Sequence, residues 1–96
     1  MSVAVIIDMP GGSEKQYDQV IATVFPDGKL PKGWQVHLAG PTEKGWRIVN
    51  VVPSQEQFEA FARERLRPAL VQAGEGDITP QLAFFPVHRL IRGATS

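Results

Sequence analysis

Residues 33–61, GWQVHLAGPTEKGWRIVNVVPSQEQFEAF, alternate like two β-strands around a turn and then switch to helical spacing. In the first arm Trp34, Val36 and Leu38 point one way, and Gln35, His37 and Ala39 point the other. Gly45 to Val52 forms the second arm, rich in β-branched residues. A four-residue loop, Pro41 to Lys44, sets Gly40 opposite Gly45, Ala39 opposite Trp46, His37 opposite Ile48 and Gln35 opposite Asn50. In that register Gln35, His37, Trp46 and Asn50 share one face, and Val36, Leu38, Val49 and Val51 share the other. A bulge at either glycine would shift the pairing by one and scatter this grouping. Pro53 ends the second arm, and Ser54 with Gln57 has the spacing of a capping box.

The flanking segments decide what this hairpin joins. Val3 to Ile7 is an unbroken apolar run, the pattern of a central strand covered on both faces. Pro10, Gly11 and Gly12 close it, and Ser13 with Gln16 opens a helix whose buried stripe is Tyr17, Val20, Ile21 and Val24. The segment from Phe25 to Gly33 reads as a loop. After Ser54 a long stripe runs through Phe58, Phe61, Ala62, Leu66, Ala69, Leu70 and Ala73, and Pro68 predicts a kink or a restart. Gly74 to Thr79 is a loop, and Gln81 to Ile91 a last strand in which Pro86 argues for a sheet edge or a bulge. The tail from Gly93 is expected to fray.

Strand, helix, strand, strand, helix, strand, joined by right-handed crossovers, is the α+β ferredoxin-like βαββαβ arrangement. It implies a four-stranded antiparallel sheet in the order 4-1-3-2 with both helices on one face. The two most apolar strands then lie in the centre. With two helices on one side and large apolar residues on both, the bare side exceeds what monomers usually expose. A two-fold partner covering it predicts a homodimer.

At 96 residues the chain is expected to be one domain spanning 1–96, with an ordered core of about 3–91. Ten basic and ten acidic residues cancel, with no basic run, which argues against nucleic acid or an anionic membrane as partner. There is no cysteine, hence no disulfide, thiolate metal site or cysteine nucleophile. The opening MSVAVIIDMP is too short and too soon interrupted by Asp8 for a signal peptide, and no apolar run reaches the ~20 residues of a membrane span. A cytoplasmic protein is expected.

The run MPGGSEKQYDQV, the hairpin HLAGPTEKGWRIVNV, the helix SQEQFEAFARERLRPAL and the closing FFPVH resemble small dimeric α+β barrel proteins related to the antibiotic-biosynthesis monooxygenase domain. The resemblance covers Met9 to Leu90. It implies a two-fold dimer whose sheets form a barrel, and a pocket in each subunit between sheet and helices. Some relatives oxygenate electron-rich aromatic compounds without a cofactor; others cyclise polyketides, degrade haem or only bind. Where such relatives commonly read Asp-Val-Trp, this hairpin ends Asn50-Val51-Val52. A neutral asparagine orients a histidine without adding charge, and the missing tryptophan removes a stacking surface.

His37 leads the catalytic candidates, as a general base or hydrogen-bond donor; otherwise it is a half-buried histidine satisfied by Gln35 or Asn50. Asn50 orients His37 or holds a substrate oxygen; otherwise it ties strands together. Trp46 either walls an aromatic pocket or packs. Tyr17 turns its hydroxyl into the pocket or packs with it at the surface. Arg65 borders the apolar stripe and is the arginine placed to reach the pocket. His88, two residues past Pro86, joins the pocket or the dimer edge or is structural. Haem ligation by either histidine has no attachment motif behind it. Two separated histidines lack metal-ligand spacing, and Gly11, Gly12 and Ser13 lack a phosphate-loop pattern. No metal and no cofactor are expected. The resemblance thus implies a cofactor-independent monooxygenase or cyclase-like enzyme acting on a small aromatic or polyketide-like compound. The alternative is a non-catalytic dimeric module that binds a small apolar ligand, haem included, or supports another enzyme.

Overall fold

The computed structural model describes residues 1–93. Its elements, in chain order, are β1 (Val3–Pro10), α1 (Glu14–Val24), β2 (Val36–Thr42), β3 (Gly45–Val52), α2 (Gln55–Phe61), a π-helical turn (Ala62–Leu66), α3 (Arg67–Gln72) and β4 (Gln81–Pro86). The strands form one antiparallel sheet in the order β2-β3-β1-β4, the ferredoxin-like order expected. The expectation for the tail concerns, beyond Gly93, residues outside those described.

Both helix starts follow from their caps. The Ser13 and Ser54 hydroxyls accept from the backbone N–H of Gln16 and Gln57, at 3.3 and 3.1 Å, satisfying donors that a helix start leaves open. At Ser13 the reciprocal half of the box is replaced, because its hydroxyl donates to Oε1 of Gln16.

Alternation in β1 sends Val5, Ile7 and Met9 toward the helices. There they join Val20, Val24 and Phe25, together with Val52, Phe58, Ala69 and Leu70. Phe58 is fully buried, and its ring packs on Trp34, Phe61 and Phe84. Burial on this scale contributes about 2–3 kcal/mol for one such side chain. The other sheet face holds Ile6, Val36, Leu38, Val49 and Phe85, as the pairings of β1 with β3 and β4 and of β2 with β3 require. Leu38 and Phe85 on it are 55% and 51% exposed.

Two boundaries differ from the sequence expectation, and a third takes a form it did not specify. The hairpin turns on two residues rather than four, so Thr42 faces Gly45, Ala39 faces Ile48 and His37 faces Asn50 directly. Room for the tight turn comes from Gly45, where a Cβ would stand 2.2 Å from the Met9 carbonyl oxygen. Because the slip is an even number, every residue keeps its face. Strand β4 stops at Pro86 instead of Ile91, since proline has no N–H to offer the ladder. Finally, the helix restarts at the proline as expected, α3 beginning at Arg67 with Pro68 in its first turn. The chain stays helical from Gln55 to Gln72, and one wide turn, in which the Arg67 N–H reaches the Ala62 carbonyl, precedes the proline. Widening the helix there relieves the crowding that a proline imposes on the carbonyl four residues back.

Candidate functional site

His37 stands second in β2 and Asn50 opposite it in β3, both on the helix-facing side. Asn50 is 3% exposed. Its Oδ1 lies 2.6 Å from Nδ1 of His37, and the hydroxyl of Tyr17, reaching down from α1, lies 2.5 Å from Nε2. An amide oxygen only accepts, so Nδ1 carries a proton and donates to Asn50. In the neutral ring Nε2 then accepts from the Tyr17 hydroxyl. The result is a directed chain, Tyr17 O–H to His37 to Asn50, with both ring nitrogens occupied.

Aromatic rings hold this chain in place. Tyr17 lies nearly parallel to the His37 ring at 6.0 Å and packs on Trp46 at 5.3 Å. Phe25, just past the end of α1, presents its edge to His37 at 5.6 Å. The Tyr17 hydroxyl is shifted upward, first by burial and then by the negative charge of Asp18, so it remains a protonated donor at neutral pH.

Between sheet and helices lies a cavity of about 30 Å³, lined by Tyr17, Trp46, Ile48, Leu66, Leu70 and Glu75 among others. That space holds roughly one water-sized group. Tyr17 lines it, whereas His37 and Asn50 do not. Of the three hydrogen-bonded residues, Tyr17 is the one that reaches the cavity. A larger groove of about 270 Å³ opens between α2, α3 and β4, lined by Phe58, Leu66, Arg67, Leu70, Glu75 and Ile78 among others. Leu66, Leu70 and Glu75 belong to both walls.

Among the residues singled out in the sequence, Tyr17, His37, Trp46 and Asn50 come together. Gln35 is exposed just before β2, and its backbone N–H donates to the Val51 carbonyl at 2.9 Å. His88 is exposed beyond the end of β4, and its side chain has no described partner. Arg65 is exposed in the π-helical turn and lines neither cavity. The arginine at the groove is Arg67, because the wide turn rotates the residues after it relative to a regular helix. Two residues were not singled out: Phe25, hidden in a stretch that reads as loop, and Glu75. Glu75 is 3% exposed, and burial raises its carboxyl above the ordinary glutamate range. A glycine ending a helical stripe, as Gly74 does, was its one sequence signal. Among the described residues no cluster of three or more His, Asp or Glu side chains could hold a metal ion. No helix of the described chain is long and apolar enough to cross a membrane.

No protein-family model matches the chain, and no curated protein sequence matches it significantly. Among solved structures it is similar to a candidate antibiotic biosynthesis monooxygenase from Deinococcus radiodurans. The two share 10% identity with a TM-score of 0.61, over 99% of this chain and 100% of that one. A DUF3240 family protein from Shewanella baltica aligns at 14% identity and a TM-score of 0.45, over 99% and 97% of the two chains. The first likeness establishes the fold, a ferredoxin-like α+β fold of the antibiotic-biosynthesis-monooxygenase kind.

Proposed function

We propose that the protein is a cofactor-independent monooxygenase or cyclase-like enzyme acting on a small aromatic or polyketide-like compound between sheet and helices. The observation that carries this reading is the chain from the cavity wall inward, Tyr17 hydroxyl to His37 to Asn50. A substrate phenol or activated C–H gives its proton to the Tyr17 oxygen as the Tyr17 proton passes to Nε2 of His37. The imidazolium so formed keeps its Nδ1–H on Asn50 Oδ1, and the tyrosine ends neutral, as it began. In the oxygenase form, the electron-rich carbanion left behind reacts with dioxygen. A CH2 group becomes a ketone, one oxygen atom entering it and the other leaving as water.

Leu38, Phe85 and their neighbours on the bare sheet face support a homodimer closed face to face. The test is oxygen uptake with a hydroxylated anthrone as probe, compared among wild type, Tyr17→Phe and His37→Ala. Loss of at least about 10²-fold in turnover in both variants, the scale of a general base, supports the reading. Turnover and probe affinity unchanged in His37→Ala remove His37 from any mechanism.

A second reading, a non-catalytic dimer that binds a small apolar ligand or supports another enzyme, is favoured by one specific feature. The partner of His37 is a neutral amide rather than a carboxylate, which orients the ring without stabilising its charged form as an anion would. Probe binding without turnover in the wild type selects it.

A further inference from the structure

The inner cavity that Tyr17 reaches measures about 30 Å³, room for one water-sized group, and no compound of the proposed kind fits it as it stands. Two larger spaces adjoin it. The groove of about 270 Å³ between α2, α3 and β4 shares Leu66, Leu70 and Glu75 with it. An opening of about 380 Å³ at the hairpin tip shares Met9 and Trp46. A compound that reaches the Tyr17 oxygen passes one of these two walls, and their chemistry differs. The opening at the hairpin tip is ringed by Asp8, Glu43, Lys44 and Arg47, where an apolar compound would strip water from charges. Its wall is also fixed. Met9 is buried, and Trp46 packs on Tyr17 at 5.3 Å, its Cβ 3.1 Å from where a Cβ on Gly12 would stand. On the groove side the shared wall is flanked by Phe58, Ala62 and Ile78, which ask no such desolvation.

Within the groove wall the three shared side chains are held unequally. Leu70 is buried in the core. Glu75 is buried too, and its backbone N–H donates to the Leu70 carbonyl at 2.8 Å. Leu66 is half-buried and ends the wide turn Ala62–Leu66. The backbone there is tied least firmly, because Pro68 has no N–H to return to the carbonyls behind it. The same turn is what brings Leu66 to the wall. Steps of four along a regular helix each overshoot a full turn by about 40°, which would carry Phe58, Ala62, Leu66 and Leu70 about 120° around the axis. The extra residue of the wide turn takes back about 100° of that drift, and all four line the groove.

We propose that Leu66 is the size-determining residue of the Tyr17 site, a side chain that turns aside to join the outer groove to the inner cavity. With Leu66 in place the cavity admits a water-sized group. With Leu66 turned aside, a compound lying in the groove extends one end to the Tyr17 hydroxyl. The assignment rests on the reading that the space between sheet and helices takes a small molecule. It adds the route by which that molecule enters and the residue that limits its width.

Toluene as probe and isoleucine methyl NMR test it, because the isoleucines report the two spaces separately. Ile7 and Ile48 line the inner cavity, and Ile78 lines the groove. In the wild type toluene should shift all three signals and show through-space contacts to the Leu66 methyls. Leu66→Ala should raise the shifts at Ile7 and Ile48 relative to that at Ile78 about three- to tenfold, since no side chain must then be held out of its preferred rotamer. Leu66→Phe should abolish the inner shifts and keep the one at Ile78. Inner shifts unchanged in both variants overturn the assignment and leave the pocket standing. So do wild-type toluene contacts to Trp46 and Ile48 with none to Leu66, which would place the entrance at the hairpin tip. No shift at Ile7 and Ile48 in any of the three proteins overturns the assignment and the small-molecule reading together. The wild-type contacts need no variant, so they decide the matter even where a variant does not fold.

Discussion

Deleting both ends of a buried hydrogen bond should harm this protein less than deleting one. The pair is His37 Nδ1–H to Asn50 Oδ1, 2.6 Å apart. Asn50 is 3% exposed, so His37→Leu strips its oxygen of a partner where water has little access. That costs about 1–3 kcal/mol. The Tyr17 hydroxyl freed by the same change is only half-buried and can turn to solvent, so it adds little. Asn50→Leu alone strands the Nδ1–H of His37, at about 1 kcal/mol, nearer the low end because the ring itself is half-buried. The double variant His37→Leu/Asn50→Leu leaves neither group unpaired and places an apolar side chain of similar size in the core. A coupling of about 1–3 kcal/mol is therefore expected, and Asn50→Leu should be neutral or stabilising once His37 is gone. Urea unfolding followed by circular dichroism at one protein concentration measures all four corners of the cycle. In a chain this size 1 kcal/mol shifts the melting temperature by about 4–8 °C, so thermal melts provide a second reading. If Asn50→Leu costs the same in both backgrounds, within about 0.5 kcal/mol, the two side chains do not satisfy each other and the hydrogen-bonded chain is refuted.

Gly45→Ala would place a methyl 2.2 Å from the Met9 carbonyl oxygen and 2.6 Å from the Gly11 nitrogen; both are backbone atoms, so a loss of about 3 kcal/mol is expected in denaturant unfolding. Glu75 is raised in the folded protein, so the native state holds its proton longer than the unfolded chain does. Stability from this group is therefore full below the ordinary glutamate value, about 4.3, and falls as pH rises toward the folded one. Thermal melts across that range should show wild type declining relative to Glu75→Gln as pH rises, and parallel curves would contradict it. On the bare sheet face, Leu38→Lys combined with Phe85→Lys should turn a dimer into a monomer by native mass spectrometry with little change in fold, since both side chains are about half exposed within one chain; a wild type already monomeric at micromolar concentration would remove the dimer.

The topology was legible because the local signals agree. The apolar run at Val3 to Ile7, two serine caps and a proline-limited last strand leave few arrangements open. The faces of His37, Trp46 and Asn50 were legible too, since alternation survives an even slip in register. What the sequence hid was any property that depends on direction or distance across the core. Periodicity puts Tyr17 on the buried stripe of α1 without saying that its hydroxyl ends on Nε2 of His37. Helical spacing placed Arg65 at the stripe, and a single wide turn gave the groove to Arg67 instead. Glu75 looked like loop polarity; its burial comes from a helix ending on Gly74 and from walls contributed by β1, β3 and α1, which no local pattern reports.

The π-helical turn at Ala62–Leu66 also bears on how sequences of this fold can diverge in length. Each residue of a regular helix adds 100° of rotation and 1.5 Å of rise. The wide turn fits one residue more than a regular turn into nearly the same rotation, so removing one residue from it restores ordinary winding and leaves everything behind it close to its present place. Ala69 and Leu70 would stay in the core, and the helix end that buries Glu75 would stay with them. The same deletion in the regular turns of α2 or α3 would swing the rest of the helix by about 100°. A homologue one residue shorter in this turn should therefore keep apolar side chains at the places of Ala69 and Leu70, because its helix offers the sheet the same face.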